Sequence, residues 1–99
     1  METSQNEIIR VHMWVSGRVQ GVGFRAHVEY HGSQIGVTGW VRNVGYDSVE
    51  TVAEGTRAQI DKFVAIVKQG PRASRVDDER VETETVTGEF QEFGVKRSI

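Results

Sequence analysis

From Gly17 to Arg25 the chain reads Gly-Arg-Val-Gln-Gly-Val-Gly-Phe-Arg, and this run limits the possible folds more than any other. Before it, Ile9, Val11, Met13 and Val15 alternate as they would in a strand with one buried face. After it, Phe24, Val28, His31 and Ile35 recur at helical spacing, with Gly36 as a stop. Strand, glycine loop and helix therefore follow one another directly. Glycine lets backbone N–H groups turn inward and come close to a ligand. A helix N-terminus adds partial positive charge at the same place. Arginine brings a planar fork of donors suited to phosphate oxygens. The run predicts a small anion cradle of phosphate size.

Two familiar phosphate loops do not fit it. A nucleotide P-loop needs Lys-Ser or Lys-Thr after its last glycine, and here Phe24-Arg25 stand there. Gly21-Val22-Gly23-Phe24-Arg25-Ala26 has the glycine pattern of a dinucleotide turn, but Ser16 to Gln20 separate it from the strand end. A chain of 99 residues is also too short for the doubled unit that such cofactors require.

The remaining elements follow from periodicity. Val37, Gly39 and Val41 alternate in a second strand, and Val44 to Ser48 forms a turn into a third, Val49 to Glu54. Thr56 and Gln59 have capping-box spacing ahead of a helix with Ile60, Phe63, Val64 and Val67 on one stripe, closed by Gly70-Pro71. A fourth strand, Arg75 to Glu84, is irregular because Val76 and Val81 are out of phase, and Phe90 to Lys96 makes a short fifth. The order predicts an α+β, ferredoxin-like βαββαβ fold, a two-layer sandwich of an antiparallel sheet with two helices on one face. Residues 1–7 are expected to form a flexible extension and residues 8–99 a single domain.

Twelve basic residues against fourteen acidic ones give no charge excess of the nucleic-acid-binding kind. Trp14, Trp40 and Tyr30 read as packing, or as cover for the sheet, rather than as base-stacking platforms. The absence of cysteine excludes disulfides and a thiolate nucleophile. Neither a signal peptide nor a membrane-length apolar run is evident. A cytoplasmic monomer without nucleic-acid or membrane partners is expected. His27 and His31 lie one helical turn apart but lack the adjacent glutamate and third ligand of a zinc helix, so no metal is expected, and a hydrogen-bonded, half-buried His31 is.

A second block, Gly39-Trp40-Val41-Arg42-Asn43, is followed by Val49-Glu50-Thr51-Val52-Ala53-Glu54-Gly55. With both blocks the chain resembles the acylphosphatase family. That family's V-x-G-x-V-Q-G-V-x-F-R signature matches Val15 to Arg25 without a gap. Its second signature, G-W-V-[KR]-N, three residues, G-x-V, five residues, G, matches Gly39 to Gly55, with Asp47 in place of a glycine. The resemblance runs from about Arg10 to Val95 and implies the same ferredoxin-like fold.

It also implies hydrolysis of a small-molecule acyl phosphate to a carboxylate and orthophosphate, with no cofactor. The leaving group is the anion of an acid with pKa near 4, so no general acid is required. What remains is to hold the phosphoryl group, spread its charge and aim a water in line. The resemblance assigns phosphate binding to Arg25 and to backbone N–H groups of Gln20, Gly21, Val22, Gly23 and Phe24, and water orientation to Asn43. Other readings stand beside these: Arg25 as a surface residue paired with a carboxylate, Asn43 as a turn former ahead of Gly45. Arg18 adds positive potential near the cradle or does nothing specific. Arg42 is expected to be solvated, and Asp47 to carry a modest conformational cost at a turn position suited to positive φ. The alternative function is a non-catalytic module that binds an anion such as carbamoyl phosphate. Asn43 argues against it, as do a start at Met1 and the lack of a second-domain or zinc-finger sequence.

Overall fold

The computed structural model describes residues 7–99, so all but Glu7 of the expected N-terminal extension lies outside the described residues. Strand β1, Ile8–Arg18, buries Val11, Met13 and Val15 in alternation. Helix α1, Phe24–Ile35, ends where Gly36 takes φ 99 and donates its N–H to Gly32. Its buried face is Phe24, Val28 and Gly32, not the expected stripe through His31. The reason is a partner far along the chain: a Cβ at Gly32 would lie 3.2 Å from the Phe93 ring, so this face of the helix must stay bare for an aromatic neighbour.

Strands β2, Thr38–Val44, and β3, Ser48–Thr56, form a hairpin, and α2 follows at Arg57–Gln69. Thr56 Oγ1 accepts the Gln59 N–H while Gln59 Oε1 accepts the Thr56 N–H, so the expected capping box is present. Ile60, Phe63 and Val67 of α2 are buried. Strands β4, Arg75–Glu84, and β5, Phe93–Val95, complete the order.

The sheet runs β4-β1-β3-β2-β5. Neighbours among the first four strands are antiparallel, as expected, but β5 pairs parallel to β2, with Gly39 opposite Phe93, so the sheet is mixed. Both helices cover one face, where Phe24, Val28, Ile60 and Phe63 meet Val11, Met13, Val41, Val49 and Ala53 in one core. This is the ferredoxin-like arrangement. The irregular phase of β4 has a structural cause. Ser16 pairs with Asp78 but Gly17 with Val76, leaving Asp77 as a bulge that returns Val76 and Val81 to the same face. Gly17, at φ 130, accommodates that bulge, since a Cβ there would strike Arg75 O and Asp77.

The turn between β2 and β3 corrects two expectations. Its positive-φ residue is Gly45, at φ 60, and no non-glycine residue described has positive φ, so Asp47 carries no such cost. Instead the Asp47 carbonyl accepts the N–H of Gly17 at 3.0 Å. Arg42 does face away from Asn43, but it is not simply solvated, because its Nε donates to Glu50 at 2.8 Å.

The helix-free face carries polar and aromatic groups in place of a second layer. Glu50 and Glu54 are buried there, at 7% and 4% exposure. His12 lies 2.6 Å from Glu50 through one ring nitrogen and 2.6 Å from Glu84 through the other. Glu54 accepts the N–H groups of Thr87 and Gly88 and a hydrogen bond from Arg10, which ties the β4–β5 connection down. The faces of the two tryptophans are occupied by the chain's own groups. His12 and Arg80 lie against Trp14, and Arg42 and Lys96 against Trp40.

Candidate active site

The loop after β1 is anchored by Val19, fully buried, and by Val22, packed against the core. Gly21 and Gly23 take φ 75 and 80, and Gly23 is the N-cap of α1. Left-handed residues alternating with ordinary ones turn successive N–H groups toward one side and make a concave anion site. The first helical hydrogen bond runs from His27 N–H to Gly23 O. Among the described residues no side chain caps the helix, and no acidic residue occupies its first turn. The free N–H groups of that turn, with the positive end of the helix dipole, therefore face the loop without competition.

Arg25 stands one residue into the helix, half-buried. Its only described hydrogen bond is a long one, 3.4 Å from Nη1 to Ser98 Oγ, and among the described residues no carboxylate pairs with it. Asn43, next to last in β2, has a buried Oδ1 that no donor among the described residues reaches. A buried acceptor without a partner costs about 1–3 kcal/mol, which calls for an explanation. Its backbone is held firmly, since its carbonyl accepts the N–H of Ile99 at 3.0 Å.

Arg25, Asn43, Gly21, Gly23 and Phe24 line one pocket of about 290 Å³. Two of the expected site residues do not. Val22 turns into the core, and Gln20 sends its side chain to the β2–β3 hairpin. The same pocket takes in Val19, Ala26, Glu29 and Val95, none of them singled out from sequence. Glu29 was within reach of sequence reasoning, being one helical turn beyond Arg25, whereas Val95 carries no local signal. Arg18 ends β1 exposed and is not among the lining residues.

His27 and His31 lie elsewhere, in a groove with Gln69 and Arg72. Their rings are 4.5 Å apart, and burial together with the charge of His31 holds the His27 imidazole below its usual range. His31 is half-buried as expected, with packing rather than a described hydrogen bond around it. Among the described residues no group of three or more His, Cys, Asp or Glu is placed to hold a metal ion.

A ferredoxin-like α+β domain with an anion-receptive helix end beside a carboxamide with a buried oxygen is thereby defined. The chain belongs to the acylphosphatase family, whose model matches residues 11–95. It is 47% identical over 90 residues to an acylphosphatase of Methylococcus capsulatus, covering 91% of this chain and 98% of the relative. Among solved structures, an acylphosphatase from Coxiella burnetii superposes with TM-score 0.86 at 34% identity, over 93% of this chain and 95% of that one. An acylphosphatase from Bacillus subtilis gives TM-score 0.84, also at 34% identity, over 89% of this chain and 98% of its own.

Proposed function

We propose that this chain hydrolyses small acyl phosphates to carboxylate and orthophosphate, with Arg25 and Asn43 in separate roles. The Arg25 fork and the N–H groups of the loop up to Phe24 grip the phosphoryl oxygens and take up charge as it develops. Asn43 Oδ1 accepts a hydrogen from a water and aims its oxygen at phosphorus, in line with the departing carboxylate. The proton of the water goes to bulk solvent or to the released phosphate, and the carboxylate leaves as an anion. One observation carries this reading: Asn43, whose Oδ1 is the single buried side-chain acceptor without a donor among the described residues, lines the pocket that also holds Arg25.

The same feature speaks against a pure binding module, because gripping an anion needs the arginine and the amides but not a spare acceptor. All the proposed groups come from one domain, 8–99, of one chain, which supports a monomeric enzyme. An anionic substrate does not cross a bilayer unaided, so the enzyme must share its compartment, and the one proposed is the cytoplasm. Release of benzoate from benzoyl phosphate, with and without a chelator, tests the proposal. Equal rates in both and competitive inhibition by orthophosphate are expected. No turnover would leave the binding module, and turnover restored only by a divalent ion would overturn the site assignment.

A further inference from the structure

The Gln20 side chain is not used in the mechanism above, yet its amide hydrogen-bonds to the hairpin. Its Nε2 lies 2.9 Å from Ser48 O, 3.1 Å from Gly45 O and 3.3 Å from Val44 O. Three carbonyls converge on a group with two hydrogens, so at least one hydrogen is shared. The orientation of the carboxamide is unambiguous, because its oxygen would meet three other oxygens if reversed. Those carbonyls close β2, form the turn and open β3. They belong to the segment that carries Asn43.

Beyond the strand ladders, the tip of this hairpin has few side-chain contacts to hold it on that side. Gly45, Tyr46 and Asp47 are exposed, with Tyr46 at 98%, so no apolar side chain pins the turn to the core. The β1–β3 ladder reaches Ser16 opposite Ser48, and beyond it the one described backbone link from the β1 end to the turn is the Gly17 N–H to Asp47 O. Asn43 Oδ1 in turn meets no donor among the described residues to orient it. Its aim is therefore set by where the hairpin sits relative to the cradle.

We infer that Gln20 is a positioning residue: its side-chain amide clamps the Asn43 hairpin to the phosphate loop and so fixes the distance between the held phosphoryl group and the aimed water. The inference rests on the roles proposed for Arg25 and Asn43. Misplacement by about 1 Å is enough to cost an in-line reaction a large factor, up to about a hundred-fold. The clamp acts through Asn43, and that gives it a signature which a merely structural residue lacks.

The experiment is a double-mutant cycle with Gln20→Ala and Asn43→Ala, following kcat for benzoyl phosphate and inhibition by orthophosphate. Gln20→Met, of similar length but without a donor, serves as the second variant should the alanine protein fail to fold. Expected for either Gln20 variant is a kcat about tenfold lower with phosphate inhibition within about twofold of the parent. In the Asn43→Ala background the same substitution should lower kcat by less than about twofold. Full additivity, an unchanged kcat in the single variant, or phosphate inhibition weakened along with kcat would each overturn the clamp. Should Asn43→Ala by itself leave kcat intact, the water-positioning role fails first, and that result is distinct from a failure of Gln20 alone.

Discussion

Arg25 and Asn43 line one pocket but offer different chemistry, and substitutions can separate them. Arg25→Lys keeps a charge and loses the two-pronged grip, so phosphate inhibition should weaken and turnover collapse together. Asn43→Ala leaves the cradle whole, so phosphate inhibition should stay nearly constant while kcat falls by about a hundred-fold or more. Steady-state kinetics with orthophosphate as inhibitor distinguishes the two, and equal loss of phosphate binding in both would make Asn43 a second phosphate ligand. Activity should also be flat between about pH 5 and 8, since guanidinium and carboxamide groups do not titrate there. A bell-shaped profile in that window would implicate His27 or His31, which the fold places in a separate groove. Arg25 and Asn43 can be singled out in the sequence because each stands at a fixed place in a long motif, and the structure places both on one pocket. The unpartnered state of Asn43 Oδ1 was not legible there, since it depends on which donors the folded chain brings near.

At the scale of elements, spans followed from periodicity, while the exceptions came from contacts across the sheet. The bounds expected for α1 match the structure, and the capping box of α2 was readable from Thr56 and Gln59. The bulge at Asp77 and the burial of Gly32 under Phe93 depend on partners far along the chain, and no local pattern encodes them. The glycine that opens the second signature illustrates the same point. Gly39 sits at φ 145, and a Cβ on it would collide with the Val52 carbonyl in the neighbouring strand. Gly39→Ala should cost about 2–4 kcal/mol, since both strain and a backbone clash must be relieved. Thr56→Ala removes only half of a capping box and should cost about 1 kcal/mol. Urea unfolding of the two variants checks this order, and a Gly39 variant as stable as the Thr56 variant would contradict the steric account.

For the whole molecule, the two faces of the sheet are stabilised by different means. The helix-covered side relies on burial, and each fully buried valine or phenylalanine there contributes about 1.5–3 kcal/mol. The open side relies on carboxylates matched to His12, Arg10 and Arg42, a device invisible in composition because the opposing charges cancel in the sum. Burial alone would push the Glu50 carboxyl up, but hydrogen bonds from His12 and Arg42 outweigh it and hold the group below its usual 4.5. A carboxyl lowered by folding stabilises the native state above its unfolded value, and the contribution disappears as pH falls through the folded value. Stability should therefore drop on acidification below about pH 4.5. Glu50→Gln should be less stable by about 2 kcal/mol at pH 7, with the gap narrower at pH 3, below the usual carboxyl range, where the unfolded chain takes up the proton and the stabilisation is being lost. Urea midpoints at the two pH values measure this, and a gap independent of pH would show that the network does not act through charge.

The placement of Trp14 and Trp40 on the open face also determines what light can report about this protein. Both indoles are pressed against cations or an imidazole on the side of the sheet away from the core, and neither is among the residues lining the pocket with Arg25. Unfolding strips those neighbours away at once, so intrinsic tryptophan emission is a direct label-free signal of folding and of the acid transition. Occupation of the phosphate cradle leaves the same neighbours in place. Phosphate titrations should therefore be optically silent, and an indole introduced near Val95 would give the pocket a signal of its own.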